Sequence, residues 1–508
     1  MSLQQKVRTL GLVAGPVLAL ALYFALPESY VGANGQTAPL GHASRATLAM
    51  MVWMAVWWMS EAVEIEMTAL LPIVAFPLLG ILSIGKTTAY YGADVIFLFL
   101  GGFVLALAIR RWGLDRRIAF QTLKWVGTRP SALVAGIMGA TALISMWVSN
   151  TATAAMMVPI ALSIVNLSLE RRTGKGLSAH GGIPQDDIDD RNLALSLLLG
   201  VAYAASIGGL GTLIGSPPNG IFARFVEQTY GIQVSFTRWM LIGVPAMLLF
   251  LPLAWWLNTR VLFPTRLSEI EGGRAWVESE LARLGPLNRG ERATLAVFAV
   301  TVFFWVFRPL LAGIEFNGFT PLANLSDAVI AIAAAIALFI IPVDRSRTVF
   351  VSDWKTAVGL PWGVLILFGG GLALAGATEA NGVADYIGSL FRGISGWPAP
   401  VVIITIITLM VFMSELTSNT AQVATMLPIL AAMAPVLGVP APLLLLPATI
   451  AASCAFMMPV GTPPNAIVFG TGLVRMPQMI KAGFWLNFAG ILLITALTYG
   501  VIAPVLGR

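Results

Sequence analysis

Long uncharged, apolar stretches recur along the whole chain and constrain its fold more than any other feature. Examples are residues 9–27, 47–59, 95–109, 239–258 and 484–504. Several approach the roughly 20 residues that a helix needs to span a bilayer. Only 11% of the residues are charged, whereas soluble proteins have about a quarter charged residues. The sequence therefore predicts an integral membrane protein, and the absence of strand-length alternation favours helices over a barrel.

The distribution of Lys and Arg predicts the orientation of the spans. Basic residues cluster in 110–129, 171–191, 260–292 and 345–355, and they are sparse in the connectors 27–42, 312–325 and 378–397. Cytoplasmic connectors carry the excess of basic residues, so the first set is predicted to be cytoplasmic. The N-terminal apolar run is long and lacks a clear cleavage site, which favours a retained helix over a cleaved signal peptide. We expect about 11 spans, with the N-terminus cytoplasmic and the C-terminus external.

The chain contains an internal repeat, which is clearest around a small polar triplet. Residues 145–160 read SMWVSNTATAAMMVPI and residues 414–429 read SELTSNTAQVATMLPI. The offset that aligns the two Ser-Asn-Thr triplets, at 149–151 and 418–420, also aligns residues 95–113, VIFLFLGGFVLALAIRRWG, with residues 364–382, VLILFGGGLALAGATEANG. A shared offset across two separated segments indicates a duplication.

The two copies are predicted to cross the membrane in opposite directions. Residues 60–63 (SEAV) resemble residues 326–329 (SDAV) at nearly the same offset, so the halves are expected near 45–258 and 320–508. The glycine-rich segment is followed by RRWGLDRR in the first half and by TEANGVADY in the second. The end of the glycine-rich segment is therefore Arg-rich in the first half and acidic in the second. Because basic residues mark the cytoplasmic side, the two ends should lie on opposite sides of the membrane, which predicts inverted repeats. Secondary transporters use such repeats to build a substrate site near the bilayer midplane.

Each triplet is predicted to lie at the tip of a membrane hairpin. No charged residue occurs between Arg129 and Glu170, yet both flanks are basic and should lie on one side of the membrane. About 40 residues allow either two short re-entrant helices or two full spans. The triplet at 149–151 is central, which favours the re-entrant arrangement. The triplet at 418–420 would then be the tip of a matching hairpin that enters from the opposite face.

Two further segments interrupt otherwise apolar helices. Residues 206–220 read SIGGLGTLIGSPPNG and residues 453–467 read SCAFMMPVGTPPNAI. Pro-Pro removes two backbone donors and breaks the helix, and unwound backbone in a membrane must be satisfied by protein or by a water-filled cavity. Hydroxyl and amide groups can bind an anion, and backbone carbonyls can face a cation. Taken singly, each motif could simply hydrogen-bond neighbouring helices together or kink a helix. The occurrence of both motifs, Ser-Asn-Thr and Pro-Pro-Asn, in both halves favours a binding site.

A multiply charged anion bound between these motifs would have no basic partner. No Lys or Arg occurs in residues 130–169, 192–223 or 393–474. Burying an unbalanced charge is expensive, so co-bound cations would have to compensate, and sodium suits carbonyl, hydroxyl and amide oxygens. This pattern predicts a sodium-coupled anion symporter. Glu415, the only acid in its stretch, could orient the hairpin, join a cation site or carry a proton; the structural role is favoured because Met146 occupies the equivalent position.

These motifs resemble those of the divalent anion/sodium symporter family over almost the whole chain. The resemblance rests on both Ser-Asn-Thr motifs and on GTLIGSPPN, GTPPNAIVFG, IFLFLGGF and LGPLNRGER. It implies a carrier of di- or tricarboxylates or sulfate in a bacterial plasma membrane, surrounded by lipid, with no enzymatic activity, organic cofactor or nucleic-acid partner. It also implies a homodimer and an elevator-like movement. The expected scaffold comprises residues 1–125 and 259–395, and the mobile transport domain comprises residues 126–258 and 396–508.

The resemblance further implies which residues bind substrate and sodium. The substrate's carboxylates are expected to meet Asn150, Thr151, Ser216, Asn419, Thr420, Thr462 and Pro463. One sodium ion is expected on Ser145, Ser149, Asn150 and Gly215. The other is expected on Ser414, Thr417, Asn419 and Gly461, partly through backbone carbonyls. Hydroxyl and amide donors fit succinate, malate, citrate or sulfate alike, and the triplet in both halves favours carboxylates.

Other functions remain as alternatives with distinct signatures. A proton-coupled carrier, a dicarboxylate exchanger, or an arsenite or citrate permease would differ in the sodium dependence of uptake. A membrane-embedded enzyme is disfavoured because the sequence shows no nucleophile-base pair, no HExxH and no paired intramembrane aspartates. The single cysteine, Cys454, also excludes a cysteine-cluster metal site. A channel would show neither saturable uptake nor counterflow.

Overall fold

The computed structural model describes residues 3–32, 36–173, 188–315, 319–344, 346, 348–394 and 396–506, and its secondary structure is almost entirely helical. Up to residue 284 the helices are α1 (Leu3–Ala25), α2 (His42–Ser60), α3 (Ile65–Leu78), α4 (Ile84–Ala89), α5 (Asp94–Arg111), α6 (Leu114–Val126), α7 (Pro130–Ser145), α8 (Asn150–Thr173), α9 (Ile188–Gly208), α10 (Pro217–Tyr230), α11 (Phe236–Trp256) and α12 (Gly273–Leu284). They are followed by α13 (Arg289–Leu311), α14 (Asp327–Ile340), α15 (Trp354–Ala357), α16 (Trp362–Ala380), α17 (Val383–Leu390), α18 (Ala399–Ser414), α19 (Asn419–Leu437), α20 (Pro442–Ala452), α21 (Pro463–Phe469), α22 (Met476–Leu497) and α23 (Ala503–Leu506). A short antiparallel hairpin, β1 (Ser29–Val31) and β2 (Thr37–Pro39), pairs Ser29 with Pro39.

Nine helical stretches within the described ranges are long and apolar enough to cross a membrane. They are Gln5–Ala25, Ile84–Arg111, Asn150–Arg172, Ile188–Gly209, Phe236–Leu262, Arg289–Leu311, Trp362–Ala380, Asn419–Leu437 and Met476–Val505. Five shorter apolar helices, α3, α7, α14, α18 and α20, accompany them. The predicted class, a helical multi-pass membrane protein, is confirmed. The count of about 11 spans and the orientation of the termini stay predictions, and most of the basic cluster at 171–191 lies outside the described residues.

The two halves are built alike, and each contributes a glycine-rich helix that packs against a helix of the other half. α5 packs on α14, and α16 packs on α3. A Cβ atom on Gly101 in α5 would lie 2.4 Å from the backbone of Ala331 in α14. A Cβ atom on Gly370 in α16 would lie 2.4 Å from the carbonyl oxygen of Ala69 in α3. The offset that aligns the two triplets also aligns Gly101 with Gly370, so the repeat found in the sequence marks two equivalent helix crossings.

The match between residues 60–63 and 326–329 is not supported by the structure. Ser60 is the last residue of α2, whereas Ser326 precedes α14 and its Oγ accepts a hydrogen bond from Val329 N–H at 3.2 Å. The packing makes α3, which begins at Ile65, the counterpart of α14. Ser and acidic residues are common at helix ends for local reasons, so four similar residues at two helix ends do not indicate equivalent positions.

The segments around the two triplets form helical hairpins. Residues 146–149 join α7 to α8, and residues 415–418 join α18 to α19. Both helices of the first hairpin pack on α9, and both helices of the second pack on α20. α7 and α18 have 16 residues each, or about 24 Å at 1.5 Å per residue. This length is shorter than the bilayer's hydrocarbon core of about 30 Å and is compatible with the re-entrant arrangement, which stays a prediction.

The Pro-Pro sequences interrupt helices, as the sequence predicts. We call the stretch between α9 and α10, residues 209–216, unwound segment 1, and the stretch between α20 and α21, residues 453–462, unwound segment 2. α10 packs on α19 and α20, and α21 packs on α8 and α9. Each helix that begins with Pro-Pro therefore contacts the second hairpin helix, α8 or α19, of the opposite half.

The last long helix of each half supports the unwound segment of its own half. A Cβ atom on Gly243 in α11 would lie 2.2 Å from the carbonyl oxygen of Leu210. A Cβ atom on Gly483 in α22 would lie 2.3 Å from the backbone of Phe456. Both helices continue into a π-helical turn, Leu257–Leu262 after α11 and Thr498–Ile502 after α22. Only glycine allows such an approach of helix to backbone, so the repeat extends to the end of each half.

Candidate functional site

A buried hydroxyl connects the tip of the first hairpin to the next helix. Ser145 ends α7, is fully buried, and its Oγ donates a hydrogen bond to the carbonyl oxygen of Ala205 in α9 at 2.7 Å. The side-chain amide of Asn150, the first residue of α8, lies 2.7 Å from the same Oγ. Ser149 is half-buried, and its Oγ accepts from Ala152 N–H at 3.4 Å. The predicted residues Ser145, Ser149 and Asn150 thus lie together across the tip.

The second tip repeats this arrangement. The Oγ of Ser414, at the end of α18, donates to the carbonyl oxygen of Ala452 in α20. It also lies 2.6 Å from Oδ1 of Asn419, the first residue of α19. Thr417 is buried, and its hydroxyl donates to the carbonyl oxygen of Met413 at 3.0 Å. The side chains of Ser414 and Asn419 therefore form the equivalent pair, whereas the hydroxyl of Thr417 is used within the hairpin.

The amide of Asn150 faces three oxygen atoms. One of its terminal atoms lies 2.7 Å from Ser145 Oγ, 3.0 Å from the carbonyl oxygen of Ala205 and 3.3 Å from that of Gly215. All three neighbours can accept a hydrogen bond, so the nitrogen belongs in this place and the amide donates to them. Hard cations bind to carbonyl, amide and other oxygen ligands, and the first tip gathers oxygens of these types beside Gly215.

Asn219 holds unwound segment 1 in place through hydrogen bonds to its backbone. Its buried Nδ2 donates to the carbonyl oxygens of Gly209 at 2.9 Å and Thr212 at 2.8 Å. The hydroxyl of Thr212 donates to the carbonyl oxygen of Met146 at the hairpin tip and accepts from Gly215 N–H. Side chains therefore satisfy the backbone that the break in the helix leaves unpaired, and they bind the segment to the tip.

Asn465 does the same for unwound segment 2. Its buried Nδ2 donates to the carbonyl oxygens of Ala455 and Met458, each at 3.0 Å. Asn219 and Asn465 each complete a Pro-Pro-Asn sequence and occupy equivalent positions. Neither is among the predicted site residues, although the occurrence of this sequence in both segments is the signal that could have identified them.

The remaining predicted residues begin the helices that follow the breaks. Ser216 and Thr462 are buried and extended, directly before α10 and α21, and Thr462 Oγ1 accepts from Asn465 N–H at 3.4 Å. Gly461 lies next to Thr462 in unwound segment 2, and Pro463 is the exposed first residue of α21. These positions begin or immediately precede α10 and α21, which pack on α19 and α8 of the other half.

The third residue of each triplet carries an accessible hydroxyl. Thr151 is exposed and Thr420 is half-buried. Neither hydroxyl takes part in a hydrogen bond with the residues that the structure describes. Both are therefore open to a ligand, and they extend from the same tips that hold the oxygen pairs.

Neutral oxygens dominate this region. Among the described residues, no group of three or more His, Cys, Asp or Glu side chains could hold a metal ion. Residues 130–169, residues 399–437 and both unwound segments contain no Lys or Arg, and the one acid in the second hairpin is Glu415. The donors and acceptors available there are hydroxyls, amides and the backbone, which can bind a monovalent cation and an anion together.

Comparison with known proteins identifies relatives over nearly the whole length. A family model that describes the transmembrane region of sodium:sulfate symporters matches residues 30–506. The sodium-dependent dicarboxylate transporter SdcS of Staphylococcus saprophyticus is 39% identical over 500 residues, which cover 98% of this chain and 92% of the relative. The protein of the same name from Staphylococcus aureus strain USA300 is 38% identical over 502 residues, with the same shares covered.

Solved structures with the same overall fold are also membrane transporters. The crystal structure of the YdaH transporter of Alcanivorax borkumensis aligns with a TM-score of 0.61 at 13% identity, covering 97% of this chain and 99% of that one. The structure of MtrF of Neisseria gonorrhoeae aligns with a TM-score of 0.55 at 11% identity, covering 98% and 94%. At these identities the likeness concerns the fold alone.

The predicted resemblance to divalent anion/sodium symporters is confirmed by the family match and by the relatives of 38% and 39% identity. The chain therefore belongs to the sodium:sulfate symporter family.

Proposed function

We propose that this protein is a secondary active transporter that moves di- or tricarboxylate anions across the membrane together with sodium. The relatives named sodium-dependent dicarboxylate transporter SdcS support both the cation and the class of anion. The family model named for sodium:sulfate symporters supports the cation and keeps sulfate as a competing anion. Binding and translocation require no enzymatic step and no organic cofactor.

One observation carries this proposal: two repeat-related clusters of neutral oxygens lie in segments that contain no Lys or Arg. Ser145 with Asn150, and Ser414 with Asn419, pair a hydroxyl with an amide at 2.7 and 2.6 Å. An anion bound between such clusters needs counter-charge, because burial of an unpaired charge is strongly unfavourable. Sodium ions on the clusters would supply it, which couples the binding of anion and cation.

The proposed ligand groups follow from the two tips and the two unwound segments. The substrate's carboxylates would accept hydrogen bonds at Asn150, Thr151, Ser216, Asn419, Thr420, Thr462 and the backbone around Pro463. One sodium ion would bind at Ser145, Ser149, Asn150 and Gly215. The second would bind at Ser414, Asn419, Gly461 and the backbone of Thr417. The accessible hydroxyls of Thr151 and Thr420 support the substrate assignment.

Alternating access would come from an elevator movement of two hairpins and two broken helices. Residues 126–258 and 396–508 would form the moving transport domain, and residues 1–125 and 259–395 would form the scaffold. The cross-packing of α10 on α19 and of α21 on α8 supports a single moving unit. We further propose a homodimer held by the scaffold, in a bacterial plasma membrane, with the N-terminus cytoplasmic and the C-terminus external.

Uptake of radiolabelled succinate into proteoliposomes tests the proposal. We expect uptake to require an inward sodium gradient and to stop when potassium or choline replaces sodium. Uptake that ignores sodium but needs succinate inside the vesicles would instead mean exchange. Unlabelled citrate and sulfate, added as competitors, then define the anion.

Substitution of the tip amides tests the site. Asn150→Ala or Asn419→Ala should abolish uptake while leaving membrane insertion unchanged. Asn192→Ala is the matched control, because Asn192 donates to the carbonyl oxygen of Pro264 outside all four motifs. Normal uptake by both tip variants would contradict the proposed site.

A further inference from the structure

Glu415 is a buried carboxylate at the tip of the second hairpin and is only 4% exposed. Its Oε1 accepts hydrogen bonds from the backbone N–H groups of Phe456 at 2.8 Å and Met457 at 3.0 Å. Its Oε2 accepts from the N–H groups of Met457 at 3.0 Å and Met458 at 2.9 Å. The amide of Asn487 in α22 also donates to Oε1, at 2.6 Å. One side chain thus fixes three consecutive residues of unwound segment 2.

The surroundings of Glu415 suit an ionised carboxylate without a protein counter-ion. Both oxygens receive N–H donors, and the ionised form offers acceptors only. No Lys or Arg occurs in residues 393–474, and no ion pair in the described part of the chain involves Glu415. A buried carboxylate without a counter-ion is unfavourable, so a cation next to it would be bound more tightly.

The first half holds its unwound segment without any charge. Met146 occupies the position equivalent to Glu415, because each directly follows the serine that ends the first helix of its hairpin. There the N–H groups of Leu210 and Gly211 donate to the carbonyl oxygens of Ile207 at 3.2 Å and Gly208 at 2.9 Å. Backbone carbonyls therefore satisfy these donors in place of the carboxylate. The two hairpin tips therefore differ by one negative charge, which is present only in the second.

This charge adjoins the residues proposed to bind the second sodium ion. Glu415 follows Ser414 directly, and its Oε2 lies 3.2 Å from the point where a Cβ atom on Gly461 would be. The carbonyl oxygen of Met458 lies 3.3 Å from the same point. The first site, at Ser145 and Gly215, has no acid in this position.

We propose that Glu415 makes the two sodium sites unequal. As a positioning residue it fixes unwound segment 2, and it adds negative charge to the second site alone, so that sodium binds more tightly there than at the first site. This inference rests on the proposed sodium coupling. A unit charge a few ångströms from a cation changes affinity by about tenfold or more at the effective dielectric constant of protein interiors.

Sodium-dependent thermal stabilisation of the purified protein measures this effect without transport. The thermal midpoint is recorded while sodium replaces choline at constant ionic strength. We expect Glu415→Gln to raise the half-saturating sodium concentration about tenfold or more, and Glu415→Asp, which keeps the charge, to raise it only about threefold or less. Glu291→Gln is the control: it removes a different buried carboxylate, paired with Arg117 at the start of α13, and should lower the midpoint without changing half-saturation.

A matched pair of variants tests the inequality even if Glu415→Gln fails to fold. Ser145 and Ser414 make equivalent hydrogen bonds, so Ser145→Ala weakens the first site and Ser414→Ala the second. We expect the Ser145→Ala protein to keep tight sodium stabilisation and the Ser414→Ala protein to keep only weak stabilisation.

The outcomes separate the two proposals. A wild-type protein that sodium does not stabilise would refute sodium coupling, and this inference with it. Sodium stabilisation with equal half-saturation in the two serine variants, or with wild-type half-saturation after Glu415→Gln, would refute the inference alone.

Discussion

Asn219→Ala and Asn465→Ala should loosen the two unwound segments to the same extent. Each asparagine is fully buried and donates two hydrogen bonds to backbone carbonyls, at 2.8 to 3.0 Å. Alanine leaves these four carbonyl oxygens without their donor. Because the two residues occupy equivalent positions and share no partner, the effects of the two substitutions should be similar and should add in the double variant.

The magnitude follows from the number of bonds lost. Side-chain hydrogen bonds in membrane proteins contribute about 0.6 kcal/mol on average and about 1.7 kcal/mol at most. Loss of two bonds therefore lowers the free energy of unfolding by about 1–3 kcal/mol in each single variant and by about 2–6 kcal/mol in the double variant. Asn258→Ala is the matched control, because buried Asn258 donates one bond, to the carbonyl oxygen of Ser196 at 2.8 Å, away from both segments.

Unfolding in mixed detergent micelles, followed by circular dichroism, measures these differences. We expect Asn258→Ala to lose about half as much stability as either segment variant and to keep the wild-type half-saturating sodium concentration. The segment variants should also bind sodium more weakly, since Gly215 and Gly461 belong to the loosened backbone. The assigned role of the Pro-Pro-Asn asparagines would be wrong if either segment variant were no less stable than Asn258→Ala. It would also be wrong if the two segment variants differed in stability by more than the contribution of one strong hydrogen bond, about 1.7 kcal/mol.

Two further predictions concern packing away from the tips. Glu291→Gln breaks the ion pair with Arg117, in which two hydrogen bonds measure 2.7 and 3.2 Å. It should lower the free energy of unfolding by about 3 kcal/mol in the same assay. An unchanged stability would show that the ion pair is dispensable. Gly101→Val and Gly370→Val should each prevent recovery of folded protein from detergent extracts, because their Cβ atoms would lie 2.4 Å from the facing helix. Gly139→Val is the control, since a Cβ there would meet nothing within 4 Å. A normal yield of either crossing variant would contradict the close approach of the two helices at that crossing.

The sequence alone determines the features that depend on local composition and spacing. Apolar stretches of bilayer length predict membrane helices because the hydrocarbon core offers the backbone no hydrogen-bond partner. The single offset that aligns both the triplets and the glycine-rich helices predicts the duplication. Pro-Pro predicts the breaks before α10 and α21, because proline cannot continue the hydrogen-bond ladder of a helix. The resemblance to divalent anion/sodium symporters also placed Ser145 and Asn150, five residues apart, in one expected sodium site, and the structure brings their side chains together.

Tertiary structure decides which distant groups meet. The separation between Asn219 and Asn465 is shorter than the offset between the triplets, because the connection from the triplet to the helix break is longer in the first half. The offset alone therefore does not pair the two asparagines, and it is the fold that shows their equivalence. The contact of Glu415 with Phe456, 41 residues away, and the packing of α10 on α19 across the halves have no sequence signature. Such contacts depend on how closely whole helices approach one another, and that distance is set by packing over the entire molecule rather than by the residues that finally touch.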